Sequence, residues 1–259
     1  VTCVMNFDGA EGDLVGQPHK GLQAMFTMMN TARLGVGLQG IGLSERAYQN
    51  ALRYARERLQ SRSLSGPKNP DKPADPLLVH PDVRRMLLTQ KALVEGGRLL
   101  SMHAYSLLDE AEKAADPAER ERAETLVSFL TPISKACLTE WSIENTYNAV
   151  QCFGGHGYIA EHGIEQLARD ARITTLYEGT TGIQSLDLIG RKTAATQAAG
   201  LKLFLADVHA FVQQHKDDAS LTEFIDPLQQ KAAEWAGLTK NILQRAATNP
   251  EEIGAASTD

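Results

Sequence analysis

From Gly21 onward, apolar residues recur at the spacing of an α-helix, and this pattern constrains the fold more than any other feature of the sequence. No later segment alternates apolar and polar residues as a β-strand does. In the first long segment, positions separated by three, four or seven residues fall on one helix face, namely Leu34, Leu38, Ile41, Tyr48, Leu52, Ala55 and Leu59. The sequence therefore predicts an all-α protein.

Proline residues mark where the next helices begin and end. Pro81 is placed to open a second helix that extends to about Lys113, because proline is favoured at the first helical position. A turn at Asp116-Pro117 follows, and a third helix is predicted over residues 118–153, with a kink or break at Pro132. Short connections between long helices predict an antiparallel, up-and-down bundle.

Shorter helical segments follow the third helix. The pattern predicts helices over residues 163–171 and 180–192, with Thr180 or Thr181 capping the second of these. Two amphipathic helices are predicted between residues 193 and 244, separated near residues 216–220, and residues 251–259 are predicted to be a frayed end. Residues 193–259 are thus a predicted helical C-terminal extension.

Composition and charge exclude several functional classes. The chain has 259 residues and a net charge of -6, which argues against a broad nucleic-acid-binding surface. No apolar run approaches the roughly 18 residues of a membrane span. The three cysteines, Cys3, Cys137 and Cys152, are far apart, which predicts buried thiols in a reducing compartment, the cytoplasm. The histidines show no metal-binding spacing, so no metal site is predicted.

A candidate site lies between Gln151 and Gln184, in the stretch QCFGGHGYIAEHGIEQLARDARITTLYEGTTGIQ. A glycine-rich turn at residues 154–157 ends one helical pattern, and Glu178 lies between two further ones. A carboxylate at such a junction can act as a general base, and glycine lets backbone approach a ligand closely. Two other interpretations remain open: the glycines cap a helix, and Glu178 complements a helix dipole.

Three motifs in this stretch, QxxGGxGY, RDARI and LYEGTTGIQ, resemble the C-terminal helical domain of the acyl-CoA dehydrogenases. The resemblance covers roughly residues 20–192, and the tail resembles a longer branch of the family that includes the methylthiopropanoyl-CoA dehydrogenases. It implies a four-helix bundle domain over residues 20–192. It also implies that residues 1–19 are the remnant of a preceding β-domain.

The resemblance implies a role for particular residues. Glu178 matches the base that removes the substrate α-proton. The residues expected to contact FAD, in part across a dimer interface, are Arg58, Gln60, Gln151, Gly154, Gly155, Gly179 and Thr180. Those expected to contact an acyl-CoA substrate are Asn30, Arg33 and Tyr177. The implied partners are an electron-transfer flavoprotein and further copies of the chain, in a homodimer or homotetramer.

Several alternatives stay open at this stage. Arg33 is otherwise a helix-surface cation with an ordinary partner, and a solvated surface role is the expectation for Arg56 and Arg62. Residues 63–76 form a proline-rich insertion where the family is compact. Besides the enzyme, the sequence allows a family relative that binds a partner or nucleic acid with little dehydrogenase activity, or a helical scaffold without flavin.

Overall fold

The computed structural model describes residues 3–255, except for the side chain of residue 27, and within that range the chain is helical and contains no β-strand. The α-helices are α1 (Gly21–Glu57), α2 (Pro81–Lys113), α3 (Pro117–Phe153), α4 (Ile164–Thr174), α5 (Thr181–Leu186), α6 (Ala199–His215), α7 (Thr222–Ala246) and α8 (Glu251–Ala255). A π-helical segment, Asp187–Ala194, continues α5. Short 3-10 turns occupy Leu77–Val79, Gly154–Tyr158 and Ala160–His162. The predicted all-α class and up-and-down bundle are confirmed.

Helices α1, α2 and α3 form the bundle, and small residues bring α1 and α3 together. A Cβ atom at Gly40 would lie 2.5 Å from the carbonyl oxygen of Leu138, and one at Gly37 would lie 3.2 Å from that of Ser134. The face of α1 that is buried therefore carries mostly small side chains, including Gly37, Gly40, Ser44, Ala47, Ala51 and Ala55. Close backbone approach, rather than large apolar side chains, joins these two helices.

The predicted apolar face of α1 is wrong in part for that reason. Leu34, Ile41 and Ala55 are buried, whereas Leu38 is 50% exposed because the adjacent glycines occupy the contact with α3. Of the kink or break predicted at Pro132, the break is wrong, since α3 is continuous through this buried proline, and the kink stays a prediction.

The chain ends differ from the interior. Residues 3–20 contain turns and exposed side chains without a regular element, so their origin in a preceding β-domain stays a prediction. The region predicted to be frayed begins with the short helix α8. Residues 1–2 and 256–259 of the two predicted terminal segments lie outside the described residues.

The C-terminal extension packs onto α3 through aromatic rings. Phe129 of α3 stacks against Trp235 of α7 with ring centroids 5.7 Å apart, and Phe204 of α6 lies 5.6 Å from the same tryptophan. A Cβ atom at Gly200 would lie 2.5 Å from the Cβ of Phe129, so glycine lets α6 approach α3. Across residues 3–255, no helix is long and apolar enough to cross a membrane.

Candidate functional site

Glu178 lies in the loop between α4 and α5, with part of its carboxylate facing the protein interior. The residue is half-buried, and its Oε2 atom is buried without a hydrogen-bond partner among the described residues. Its backbone has a φ of 55°, in the left-handed region that non-glycine residues rarely adopt. Such strain persists only where the surroundings impose it, and it is concentrated at functional sites. The local structure thus supports Glu178 as a candidate functional residue.

Gln184 fixes the backbone of this loop. Its side chain is fully buried, and Nε2 donates hydrogen bonds to the carbonyl oxygens of Glu178, at 3.1 Å, and Gly179, at 3.3 Å. Gly179 has a φ of 90°, and a Cβ atom there would lie 2.5 Å from the Gln184 Nε2. Glycine at position 179 is therefore required for this contact, and Gln184 holds Glu178 in its strained conformation.

Two side-chain hydrogen bonds attach the loop to the bundle. The hydroxyl of Tyr177 donates to Gln39 of α1, and the hydroxyl of Thr181 donates to Glu140 of α3 at 2.5 Å. Burial raises the pKa of the Tyr177 phenol, which stays protonated as this bond requires. The loop therefore spans the crossing of α1 and α3.

Thr180 caps helix α5, as the sequence predicted. Its Oγ1 accepts a hydrogen bond from the backbone N–H of Ile183 at 3.3 Å. The side chain is exposed, and a hydroxyl that accepts one bond can still donate another. Thr180 is therefore available to a ligand at the start of α5.

Asn30 and Arg33 line a cavity of about 440 Å³ between α1, α2, α3 and the π-helical segment. Arg33 is buried, and its Nη1 donates to Asp187 at 3.0 Å in a buried ion pair. The alternative in which Arg33 lies on the helix surface is wrong, because its side chain is buried. Its Nε is also buried and has no partner among the described residues.

A second group of predicted residues lies where α1 and α3 end. The hydroxyl of Tyr54 and the Nδ1 of His156 are 2.8 Å apart, and Tyr54 stacks on Phe153 with centroids 4.0 Å apart. These contacts bring the glycine turn after α3 next to the end of α1. Arg58, Gln60, Gln151, Gly154 and Gly155 therefore lie at the same end of the bundle, and all are exposed.

Gly154 has a structural role as well. It ends α3 with a φ of 60°, as the helix-cap interpretation predicted. A Cβ atom at Gly154 or Gly155 would meet nothing within 4 Å, so this turn is open on its outer side.

The structure does not bring these two groups together within one chain. Glu140, which holds the Glu178 loop, and Phe153, beside the glycine turn, lie on the same helix, and at about 1.5 Å per residue they are about 20 Å apart. The candidate base and the glycine turn therefore belong to separate patches of the surface.

The residues at the glycine turn fit the phosphate and adenosine portion of FAD. Arg58 presents an exposed guanidinium with no hydrogen bond or ion pair among the described residues, and guanidinium binds phosphate oxygens in a bidentate manner. Gln151 offers an exposed carboxamide at the same end of the bundle. Within residues 3–255, no group of His, Cys, Asp or Glu side chains is arranged to hold a metal ion.

Sequence reasoning missed four residues that the structure places around the two candidate sites. Gln184 and Asp187 follow the YEGT motif and are buried. The sequence signal that could have identified them is a polar residue on the apolar face of a predicted helix. Lys135 is fully buried within α3, where its position between apolar residues was a similar signal. Asp75, in the insertion, gave no local signal because its partners are spread over the loop.

The expectation of a solvated surface role is wrong for Arg62. Instead of being solvated, its guanidinium donates to the carbonyl oxygens of Asn69, at 2.9 Å, and Lys72, at 2.5 Å, and to the Asp75 carboxylate at 3.3 Å. It therefore supports the insertion of residues 63–76 and is not free to bind a ligand.

Comparison with known proteins identifies proteins of similar sequence. The family model described as "Acyl-CoA dehydrogenase, C-terminal domain" matches residues 19–194. The chain is 41% identical over 257 residues, 99% of its length, to 3-methylmercaptopropionyl-CoA dehydrogenase of Ruegeria pomeroyi, and covers 43% of that protein. It is 39% identical over 205 residues, 79% of its length, to a butyryl-CoA dehydrogenase of Syntrophomonas wolfei, and covers 33% of that protein.

A solved structure is similar in fold. The crystal structure of Caenorhabditis elegans ACDH-11 in complex with C11-CoA aligns with a TM-score of 0.77 and 21% identity, over 91% of this chain and 37% of that one. The chain therefore spans less than half the length of the relatives that it matches.

Proposed function

Because the chain belongs to the acyl-CoA dehydrogenase family, we propose that it is the C-terminal portion of an FAD-dependent acyl-CoA dehydrogenase. The reaction converts an acyl-CoA thioester to the trans-2-enoyl-CoA. The observation that carries the proposal is the conformation of Glu178. Its Oε2 is buried without a partner among the described residues, and Gln184 holds its left-handed backbone.

Glu178 is the proposed base for the α-proton of the thioester. Its Oε2 has a free lone pair, since no described residue donates to it. This atom would remove the α-proton while a hydride leaves the β-carbon. FAD, when bound, supplies the hydride acceptor. The hydrogen bonds of Gln184 to the loop carbonyls keep the carboxylate oriented, and orientation of the base is what makes such a proton transfer efficient.

The two separated patches support an assembly in which FAD is shared. Arg58, Gln151, Gly154 and Gly155 would hold the phosphate and adenosine portion, with Gln60 beside them. Gly179 and Thr180 would meet the cofactor near Glu178. Because these patches are about 20 Å apart along α3, the proposal places the glycine turn of one copy against a cofactor whose flavin lies near the Glu178 of another. A homodimer or homotetramer is the proposed state.

The substrate and electron acceptor follow from the same proposal. Asn30 and Arg33, in the cavity of about 440 Å³, and Tyr177, beside the base, are the proposed contacts to the acyl-CoA. An electron-transfer flavoprotein is the proposed acceptor of electrons from the reduced cofactor. The cytoplasm is the proposed location, which agrees with three cysteines that form no disulfide.

The substitution Glu178→Gln in the full-length flavoprotein tests the proposal. The amide keeps the shape of the side chain and cannot accept the α-proton, so turnover of an acyl-CoA with an artificial electron acceptor should fall below detection while flavin absorbance is retained. Glu161→Gln, a change at an exposed glutamate, is the matched control and should leave turnover unchanged. Full activity in Glu178→Gln would place the base elsewhere. A wild-type protein that binds flavin without turnover would favour the alternative of a family relative with a binding role, and one that binds no flavin would favour the scaffold.

A further inference from the structure

Lys135 is a fully buried lysine in the middle of α3. Its side chain has 0% exposure, and its Nζ has no hydrogen-bond partner among the described residues. An isolated buried ammonium is strongly unfavourable, because the interior does not replace the solvation lost from water. A lysine at this position therefore needs an opposite charge nearby to be retained in its ionised form.

The charged groups that act electrostatically on Lys135 come from three elements: Glu140 on its own helix, Arg33 on α1 and Glu178 on the loop. Arg33 repels the ammonium and is already paired with Asp187. Glu140 is exposed and accepts the hydrogen bond of Thr181. Glu178 is thus the one carboxylate of this group that has a buried oxygen without a partner among the described residues.

The helix crossing brings Lys135 and Glu178 into the same region. Ser134, the preceding residue, is at the close approach of α3 to Gly37 of α1. The Glu178 loop spans this crossing through its bonds to Gln39 and Glu140. Lys135 therefore lies within the crossing that the loop covers.

The pKa of Lys135 is consistent with this placement. Burial lowers the pKa of Lys135 to about 8, against the attraction of Glu140, with Arg33 lowering it further and Glu178 raising it. An ammonium with such a pKa is still mostly charged near neutral pH. Its charge is then sensitive to the ionisation of each neighbouring carboxylate.

We propose that Lys135 is a positioning residue for Glu178, and that its buried ammonium is the counter-charge which keeps the Glu178 carboxylate directed into the protein. The two groups act through space, since neither buried atom has a hydrogen-bond partner among the described residues. When Glu178 accepts a proton, Lys135 loses this interaction, so each group responds to the charge of the other. The catalytic consequence rests on the proposed function, whereas the coupling itself does not.

The coupling is tested on the 259-residue chain by NMR titration of lysine labelled with ¹³C at Cε. The Lys135 signal is identified as the one absent from Lys135→Met, or from Lys135→Arg if the methionine variant does not fold. In Glu178→Gln the titration midpoint of Lys135 should fall by about one pH unit, as expected for removal of a nearby opposite charge. Glu140→Gln should also lower it, and Glu144→Gln, at an exposed residue of the same helix, should leave it unchanged. An unchanged midpoint in Glu178→Gln would overturn the proposal.

The consequence for catalysis is tested in the full-length flavoprotein. Lys135→Met makes protonation of Glu178 more favourable, so the acid limb of the pH profile of kcat/KM should move up by about one pH unit, and Lys135→Arg should restore it. Asn145→Leu alters another polar residue of α3 that is buried without a side-chain partner among the described residues, and it should not move the limb. The positioning role would be contradicted if the acid limb moved equally in Lys135→Met and Asn145→Leu, or if it did not move in Lys135→Met.

These experiments separate the two proposals. Activity retained in Glu178→Gln, together with a shifted Lys135 midpoint, would reject Glu178 as the base and retain the charge coupling. Activity lost in Glu178→Gln, with an unchanged Lys135 midpoint, would do the reverse.

Discussion

Two arginines near the end of α1 differ in what their side chains contact. Arg62 is bound to two carbonyl oxygens and to Asp75 in the insertion. Arg58 is exposed and makes no side-chain hydrogen bond or ion pair within the described residues. The guanidinium of Arg58 is therefore the one that is available for phosphate, and Arg62→Ala is an unsuitable control because it also disturbs the loop.

We predict that Arg58→Ala weakens FAD binding by about ten- to a hundredfold. A hydrogen bond to a charged group contributes roughly 1.5–3 kcal/mol, which corresponds to that change in affinity. Arg56→Ala removes an exposed arginine two residues earlier and should change affinity little. Titration of the flavin-free, full-length protein with FAD, followed by quenching of flavin fluorescence, measures both. Equal losses would mean that Arg58 acts only through overall charge.

At the scale of elements, the crossing of α1 and α3 depends on backbone contact that only glycine permits. Gly40 faces the carbonyl oxygen of Leu138, whereas a Cβ atom at Gly42, two residues later, would meet nothing within 4 Å. These two glycines share a helix and differ in their surroundings. They therefore separate the effect of the crossing from the effect of helix propensity.

Gly40→Ala should destabilise the protein by about 1–3 kcal/mol, because the added methyl group forces α1 away from α3. Gly42→Ala should stabilise it by about 0.5–1 kcal/mol, since alanine is the better helix former at an open position. Denaturation with guanidinium chloride gives the free energy of unfolding of each. The same sign for both substitutions would show that the close approach does not limit the packing.

The insertion of residues 63–76 is organised around a single buried carboxylate. Asp75 accepts hydrogen bonds from the backbone N–H groups of Ser63, at 2.9 Å, Lys68, at 2.9 Å, and Asn69, at 2.7 Å, besides that from Arg62. The bond from Ser63 leads the contributions that hold the pKa of Asp75 below its ordinary value, against the effect of burial. The ionised form is thus the one that the loop requires.

We predict that the insertion loosens as the pH falls. A carboxylate with a lowered pKa in the folded state stabilises the fold fully above its unfolded pKa of about 3.9, and this stabilisation is lost as the pH falls through the folded value. The amide proton shifts of Ser63, Lys68 and Asn69, followed by NMR, should move together below about pH 4. Asp75→Asn should show the loosened state at neutral pH, and Asp71→Asn, at an exposed residue, should not. Amide shifts that stay constant in Asp75→Asn would refute this account.

At the scale of the whole molecule, the outer face of α2 carries large apolar side chains. Leu88, Leu99 and Met102 are 64%, 70% and 63% exposed. Their separations of about three turns and one turn place them along one face of the helix. Leu99 and Met102 form an exposed apolar pair, which the exposed Lys91–Glu95 ion pair separates from Leu88, and a second copy of the chain is the partner that the proposed assembly supplies.

We predict that the chain self-associates through this face. The double substitution Leu99→Glu and Met102→Glu places charges in the contact and should convert the oligomer to a smaller species, measured as molar mass by light scattering after gel filtration. Leu64→Glu, at a fully exposed leucine of the insertion, is the control and should leave the mass unchanged. A wild-type monomer would reject the prediction of self-association.

Local features of the sequence determined the helices and the position of the candidate base. Apolar periodicity together with Pro81 and Asp116-Pro117 predicted α2 and α3 nearly to their observed bounds, because helix initiation and termination depend on residues close in sequence. A cap at Thr180 or Thr181 was predicted for the same reason, and the structure selects Thr180. The YEGT motif identified Glu178 without knowledge of its surroundings.

Tertiary structure alone decided which side chains meet. Arg33 and Asp187 are 154 residues apart and form a buried ion pair, so no periodicity indicates that they are close. The small residues of α1 were not predicted as its buried face, since hydrophobic spacing favours large side chains and contains no information on how near another backbone comes. Such contacts arise only when helices pack, and packing brings together charges and backbones from distant parts of the chain.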